Sequence, residues 1–541
     1  MASQAALTGL PPELLCAIAA QLPTNRDLKN LRLTCKRLGE AALTSLELSR
    51  VFLSAHPANI EVLRAIADND HFRYKVTELI WDDARFAAVG DNGIFDEDDE
   101  EWDEEEREIA EYYAEQCAQD PEERPHYGQK YPEWFGIALD DNHFGDSGFR
   151  RRLARAKNFP SKYEELVSQR EAELPASLAW DVYQQLLQQQ DEVLQSTPAP
   201  DEEALKYALS RFPRLRRITL TPAAHGFLFM PLYHTPLIRH LPRGLNYPIP
   251  RGWPTSGPSD PGPKAPLWRS EQVKNKWRGF RIITRVLAQD QSHSISEFLV
   301  DVNHLDTGLT YHVFDDESYQ EYKDLVTVMS RPGFRRLDLS ITAGNSDDGE
   351  NWTVSTHDNL RHALGCAELE HFSLRANVSR NVAGYGEQLD SFIPLRHLLP
   401  IEAWPRLRHF GISGIVDDTD DTVEVLASLP PTLRTVELSS LLFKSGGGGS
   451  YKELLEKIRD KLPWADWEIR PTLILKTHGR LEPCSPMTRW YSKEATRFIY
   501  GEQERLFGDR DGSCLNSVPF YEGLGGVRRD ELDPTWEAPC P

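Results

Sequence analysis

The sequence is poor in cysteine and lacks any long apolar run. Its 7 cysteines in 541 residues are too few, and odd in number, for a disulfide framework, which predicts reduced thiols in the cytoplasm or nucleus. No stretch approaches the roughly 18 consecutive apolar residues that cross a bilayer, so no membrane association is expected. The N-terminal apolar run has no basic region before it, and we therefore predict no export signal.

Positive charge is also scarce. Lys and Arg number 61 against 84 Asp and Glu, a formal net charge of −23, whereas nucleic-acid binders present clustered cations to phosphates. We therefore predict no nucleic-acid partner. Hydrophobic residues make up 40% of the chain, enough for a sizeable core spread over two or three structural units. An acidic run at residues 96–108 is expected to be solvated.

Residues 8–46 carry the pattern of three short helices. Leu14, Leu15, Ile18 and Leu22 form an apolar stripe on the first helix, which Pro23 ends. Units near 40 residues rarely fold stably without a metal, a disulfide or a partner, and neither paired cysteines nor metal ligands occur here. We therefore expect a partner protein to cover part of the stripe.

Two motifs in this segment resemble an F-box of the fungal type. They are Leu10-Pro11-Pro12-Glu13 and Leu31-Arg32-Leu33-Thr34-Cys35-Lys36-Arg37-Leu38; at Leu38 many members of that family carry Trp. The resemblance implies docking onto a Skp-type adaptor and, through it, onto a cullin–RING ubiquitin ligase. The adaptor-binding residues it implies are Leu10, Pro11, Leu14, Leu15, Ile18, Leu22, Leu28, Leu31 and Leu38. The alternative is an ordinary three-helix start that packs on the rest of the chain.

A six-residue template (apolar, x, x, apolar, x, apolar) recurs along the chain. Its copies are Val76-Leu79-Trp81, Leu215-Ile218-Leu220, Ile295-Phe298-Val300, Phe334-Leu337-Leu339, Leu369-Phe372-Leu374, Leu407-Phe410-Ile412 and Leu433-Val436-Leu438. Several copies follow a helical pattern, which predicts repeated helix-then-strand units around a parallel sheet. We predict an α/β fold: an N-terminal F-box followed by an irregular leucine-rich-repeat-like solenoid with helices on its outer side. An ordinary α/β domain with similar strands is the alternative.

The same patterns suggest five segments. They are an F-box at 1–48, a first repeat-like unit at 49–86, an acidic and helical insertion at 87–200, a repeat-like body at 201–480 and an extended C-terminal tail at 481–541. The body carries an insertion at 231–268, and from Pro242 to Pro266 its prolines and glycines disfavour regular structure.

The template also predicts a binding face. If its second and third apolar positions point at the helices, the alternating residues point to the open face of the sheet, which solenoids use for partners. The candidate target-binding residues are Arg336, Asp338, Ser340, His371, Ser373, Arg375, His409, Ser413, Thr435, Glu437 and Ser439. A solvated face with no ligand is the alternative, and arginines beside the strands leave recognition of a phosphorylated target open.

Little in the sequence indicates chemistry. No two cysteines lie within four residues of each other, and we predict neither a metal nor a cofactor. Gly145-Asp146-Ser147-Gly148 is similar to a chymotrypsin-like nucleophile loop, but a partner histidine such as His225 follows the serine, whereas that fold requires it to precede the serine. What the F-box resemblance implies is a non-enzymatic substrate receptor of a Skp–cullin–F-box ubiquitin ligase. An F-box scaffold without a role in ubiquitination is the alternative, and a hydrolase is a remote one.

Overall fold

A computed structural model gives the fold of most of the chain. It describes residues 7–22, 25–46, 48–87, 130–143, 157, 160–255, 265–290, 292–342, 357–376, 394–443, 449–478, 487–502 and 521–524. The strands are β1 Arg50–Leu53, β2 Glu78–Asp82, β3 Arg217–Thr221, β4 Glu297–Val300, β5 Leu309–Thr310, β6 Arg336–Thr342, β7 His371–Ala376, β8 His409–Ser413, β9 Val416–Asp417, β10 Thr435–Ser439, β11 Leu442–Phe443, β12 Thr472–Ile474, β13 Lys476–His478, β14 Met487–Trp490 and β15 Tyr521–Leu524.

Helices occur between most of these strands. They are α1 Pro12–Ala19, α2 Asn25–Arg32, α3 Lys36–Ser45, α4 Pro57–Asp68, α5 Glu133–His143, α6 Pro160–Glu171, α7 Ala176–Gln195, α8 Pro200–Arg211, α9 Pro236–His240, α10 Glu271–Lys276, α11 Arg278–Gln289, α12 Gln320–Met329, α13 His357–Gly365, α14 Leu395–Leu398, α15 Thr419–Ala427, α16 Tyr451–Lys461 and α17 Ser492–Ile499. The first three are the three short helices predicted at the N-terminus.

One large parallel sheet organises the body. Its strands follow the chain in the order β1, β2, β3, β4, β6, β7, β8, β10 and β12, and β5 pairs with the end of β6. Each neighbouring pair along this order is parallel. The predicted α/β class with a parallel sheet is therefore confirmed. The predicted unit at 49–86 shares this sheet with the later body, because β2 pairs in register with β3. Membership of the leucine-rich-repeat class stays a prediction.

The apolar template positions lie on one face of this sheet, against the helices. Its seven copies fall on β2, β3, β4, β6, β7, β8 and β10, and their second and third apolar residues are all buried in one continuous core. Leu63 of α4, Leu205 of α8, Phe280 of α11 and Leu325 of α12 belong to the same core. Removing this much apolar surface from water is the main favourable contribution to the fold.

The insertions pack against the early strands. In the described part of 87–200, α5 and α7 form a second core around Phe135 and Tyr183. Residues 241–255 of the Pro-rich insertion contain no helix or strand, as predicted. They are nevertheless closely packed, since Trp253 is 4% exposed and joins the main core. The acidic run at 96–108 lies outside the described residues.

The prediction of an extended C-terminal tail is wrong for residues 487–502. Strand β14 pairs antiparallel with β13 and β15, and α17 follows it directly. Ala495, Phe498 and Ile499 are buried on one face of α17, at the spacing of an amphipathic helix. This face packs near the last strand of the main sheet, where Thr496 Oγ1 accepts the Leu473 N–H at 3.0 Å.

Candidate partner-binding surfaces

The three N-terminal helices have a small core of their own. Leu15 and Ala19 of α1 pack with residues of α2 and α3, including Leu28, Leu38 and Ala42. These residues form two clusters that are separate from the core of the body. The segment therefore buries one side of each helix within itself.

Few contacts join this segment to the body in the described residues. Phe72, from the turn after α4, packs against the cluster that contains Ala19 and Leu28. Lys75 Nζ donates to the carbonyl oxygen of Leu46 at 3.0 Å and to that of Thr44 at 3.4 Å. A lysine at the carboxyl end of α3 satisfies carbonyls that the helix leaves open and matches the helix dipole.

An apolar surface remains on the side of α1 that faces away from this core. Leu14 is 51% exposed and Ile18, one turn further, is 40% exposed. Leu7, in the turn before the helix, is 43% exposed, and Pro11 at its N-cap is also exposed. We call Leu7, Pro11, Leu14 and Ile18 the α1 patch. Leu33, at the end of α2, is 82% exposed.

The structure divides the nine predicted adaptor-binding residues into two groups. Pro11, Leu14 and Ile18 are exposed, and Leu10, Leu22 and Leu31 are partly exposed. The other three, Leu15, Leu28 and Leu38, are 1%, 5% and 7% exposed and form the segment's own core. A partner cannot reach them without opening the helices, so their role here is packing. Leu7 and Leu33 are exposed apolar residues that the predicted set omitted.

The predicted target-binding residues do share one face of the sheet. Register places them in three rows across β6, β7, β8 and β10. The first row is Arg336, His371, His409 and Thr435; the second is Asp338, Ser373, Gly411 and Glu437; the third is Ser340, Arg375, Ser413 and Ser439. Parallel pairing without a shift aligns equivalent template positions, which is why a sequence repeat predicted the rows.

Hydrogen bonds and ion pairs connect this polar face. Asp338 lies 2.9 Å from Arg336 Nη2 and 3.2 Å from His371 Nε2. The ring of His371 stacks on that of His409 at 4.0 Å, and His409 Nδ1 lies 2.6 Å from Thr435 Oγ1. Burial, together with the neighbouring His371, holds the pKa of His409 well below its usual value, so this ring is neutral at neutral pH.

Burial reduces what this face can offer to a target. Asp338, Ser340, Ser373, Glu437 and Ser439 are all 9% exposed or less, so the candidate role assigned to them is corrected to pairing within the sheet. Glu437, for example, accepts hydrogen bonds from Ser439 Oγ and Lys476 Nζ, both at 3.0 Å. The predicted residues that remain partly exposed are Arg336, His371, Arg375, His409, Ser413 and Thr435.

Over the early strands, other parts of the chain cover this polar face of the sheet. Ile80 and Leu299, which interrupt the polar pattern, are 0% and 6% exposed. Tyr233, from the segment after β3, lies over Phe52 of β1 with ring centroids 6.3 Å apart, and Arg50 stacks on its ring at 5.6 Å. The open part of the face therefore lies on the later strands.

A row of side chains with alternating charge crosses the first five strands in the order of the main sheet. Arg50, Glu78, Arg217, Glu297 and Arg336 stand directly opposite one another along β1, β2, β3, β4 and β6. Arg50 Nε lies 2.5 Å from Glu78, and Arg217 Nε lies 2.6 Å from Glu297. The sequence already contained the pattern that predicts this row. Four of the five residues directly precede the second apolar position of a template copy, and Arg50 occupies the same position in a similar pattern.

Of the two residues considered for catalysis, Ser147 and His225, the structure describes only His225. Ser147 lies outside the described residues. His225 is 2% exposed; its Nδ1 lies 2.8 Å from the Tyr247 hydroxyl and its Nε2 lies 3.8 Å from Asp82. Among the described residues, no group of three or more His, Cys, Asp or Glu side chains could hold a metal ion, and no helix is long and apolar enough to cross a membrane.

No protein-family model matches the chain, and a comparison with curated proteins finds no match either.

Proposed function

We propose that this chain is the substrate receptor of a Skp–cullin–F-box ubiquitin ligase in the cytoplasm or nucleus. It docks on a Skp-type adaptor through the α1 patch and holds a target protein on the open part of the polar sheet face. The chain performs no bond chemistry in this role. It raises the effective concentration of target lysines near the ubiquitin-carrying enzyme, which is catalysis by proximity.

The exposure of Leu14 and Ile18 is the observation that carries this proposal. Of the nine large hydrophobic residues that are exposed in the described chain, four lie within the first 33 residues, on the segment with the F-box-like motifs. Clustered exposed apolar side chains are typical of interaction sites. Full burial of each leucine-sized side chain is worth roughly 1.5–3 kcal/mol, which offsets part of the cost of association.

The double substitution Leu14→Asp with Ile18→Asp is expected to abolish adaptor binding. Two carboxylates placed in the apolar contact would lose their hydration without gaining a partner. Affinity should fall more than about a hundredfold, equivalent to roughly 2.7 kcal/mol. The measurement is co-purification of the full chain with a Skp-type adaptor, followed by titration of the two purified proteins.

Matched variants separate loss of the surface from loss of the fold. Ile137→Asp and Leu178→Asp change residues that are 55% and 52% exposed on α5 and α7, and both should bind the adaptor like the wild type. Leu15→Asp should unfold the N-terminal helices, which circular dichroism and limited proteolysis would detect. Retained adaptor binding in the Leu14, Ile18 variant would contradict the assigned interface.

Ubiquitin transfer distinguishes a ligase subunit from an adaptor-bound scaffold. If the proposal holds, the purified complex should stimulate ubiquitin transfer to proteins that co-precipitate with this chain. Those proteins should accumulate when the chain is deleted. Adaptor binding without either effect would favour the scaffold.

A further inference from the structure

Within the described part of the chain, a turn after β4 contains polar atoms that lack hydrogen-bond partners. Asn303 is 4% exposed, and its amide Nδ2 has no partner among the described residues. Both ring nitrogens of the adjacent His304 are likewise enclosed and unpartnered in that part of the chain. A buried donor left unsatisfied costs about 1–3 kcal/mol, and such groups in native proteins commonly bind an ordered water or an ion.

The conformation of this turn is held from several sides. Asn303 adopts a φ of 50°, in the left-handed region, and its N–H donates to Asp301 Oδ1 at 3.0 Å. The Arg375 guanidinium donates to the carbonyl oxygens of Asn303 and, at 3.1 Å, Leu305. The ring of Phe227 lies 4.3 Å from that of His304. These contacts position the Asn303 side chain and the His304 ring without using the Asn303 Nδ2 or the two ring nitrogens of His304.

Two arginines make the surroundings of the turn positive. Arg375 reaches it from the third row of the polar face, and the charge of Arg251, in the Pro-rich insertion, acts on His304. The two segments are tied by a hydrogen bond from Thr307 Oγ1 to the carbonyl oxygen of Pro254. Burial, reinforced by the charges of Arg251 and Arg375, lowers the pKa of His304 to about 3. The segment also carries two carboxylates, Asp301 and Asp306, and that of Asp301 accepts the Asn303 N–H.

We propose that Asn303 and His304, together with Arg251 and Arg375, bind a phosphoryl group. An amide N–H, an imidazole N–H and two guanidinium groups supply donors from different directions, and three terminal phosphoryl oxygens accept them. On a chain of net charge −23, such a local site is needed to overcome the general repulsion of anions. The group is either free phosphate or a phosphorylated side chain of the target; the second source rests on the proposed receptor function.

Titration of the full chain with inorganic phosphate, at constant ionic strength against chloride, tests the site. The wild type should gain thermal stability with increasing phosphate, since a ligand that binds only the folded state stabilises it. Bound phosphate should also raise the pKa of His304, which histidine NMR signals report. Asn303→Gly, which tolerates the positive φ, and Arg251→Gln should each weaken phosphate binding at least about tenfold.

The control is Arg243→Gln, an exposed arginine of the same insertion that should bind phosphate like the wild type. No phosphate response in the wild type, or unchanged affinity in both site variants, would overturn the site. The wild type is also compared with Asn303→Gly using a degenerate phosphoserine peptide library. If the wild type binds the library more tightly than phosphate and the variant does not, the phosphoryl group is one carried by a side chain of the target. Binding of free phosphate alone would support the site and exclude that source. Since the α1 patch takes no part, failure here leaves the adaptor proposal standing.

Discussion

Replacing Glu297 with alanine is expected to lower the free energy of unfolding of the body by about 3–5 kcal/mol, the usual cost of removing one partner from a buried ion pair. Glu297 is 5% exposed and lies 2.6 Å from Arg217 Nε and 2.7 Å from Arg335 Nη2. The Arg217 side chain is only 11% exposed, so the substitution would remove a carboxylate from beside a nearly buried cation. Urea denaturation followed by tryptophan fluorescence measures the loss.

The ionisation of Glu297 gives this prediction a pH dependence. Burial alone would raise its pKa, but Arg217 and Arg335 outweigh burial and hold the pKa below its ordinary value. A carboxyl whose pKa is lower in the folded state stabilises that state above its unfolded pKa and loses the effect as pH falls through the folded pKa. The difference between wild type and Glu297→Ala should therefore be full at pH 7 and shrink in acid.

An exposed ion pair provides the control for Glu297. Glu368 lies 2.9 Å from Arg406, but the two side chains are 70% and 61% exposed. Exposed pairs contribute about 0–1 kcal/mol, so Glu368→Ala should have almost no effect on the urea midpoint. Equal effects of Glu297→Ala and Glu368→Ala would show that the charged row across the sheet does not contribute to stability.

The sequence predicted most strands because their signal is local. The alternation of apolar and polar residues reports which side of a strand is buried, and it found seven strands of the main sheet. Strand β1 was missed although Leu48, Val51 and Leu53 fit the same template. Strand β12 was missed because Arg470 occupies the first apolar position before Leu473 and Leu475.

The candidate sites were less predictable because they depend on packing between distant residues. Leu14 and Leu15 are adjacent on the same apolar stripe, yet one is 51% exposed and the other 1%. Only the docking of α3 against α1 decides which of them faces outward. Likewise, Arg251, Asn303 and Arg375 are far apart in the chain, and no local pattern brings their side chains to one turn.

Acid is expected to destabilise the body through His56, which caps a helix as a neutral ring. His56 is 4% exposed, and its Nδ1 accepts the Ala58 N–H at 3.2 Å at the start of α4. Burial lowers its pKa to about 4; the nearby Gln189 side chain opposes this shift and the charge of His240 adds to it. Protonation would remove the acceptor and place a positive charge at the positive end of the helix.

The sign and size of this effect follow from the two pKa values. The unfolded chain takes up the proton near pH 6.5 and the folded chain only near pH 4, so stability is complete above pH 6.5 and falls between these values. The difference between the two pKa values lowers the free energy of unfolding by about 3 kcal/mol at pH 4 and below. Asn is an equally good N-cap that does not titrate, so His56→Asn should gain about 3 kcal/mol relative to the wild type between pH 7 and pH 4. Urea denaturation of both proteins at several pH values measures this gain. The other buried histidines, such as His225, are common to both proteins and cancel in the comparison. Parallel curves of stability against pH would therefore show that His56 does not carry the effect.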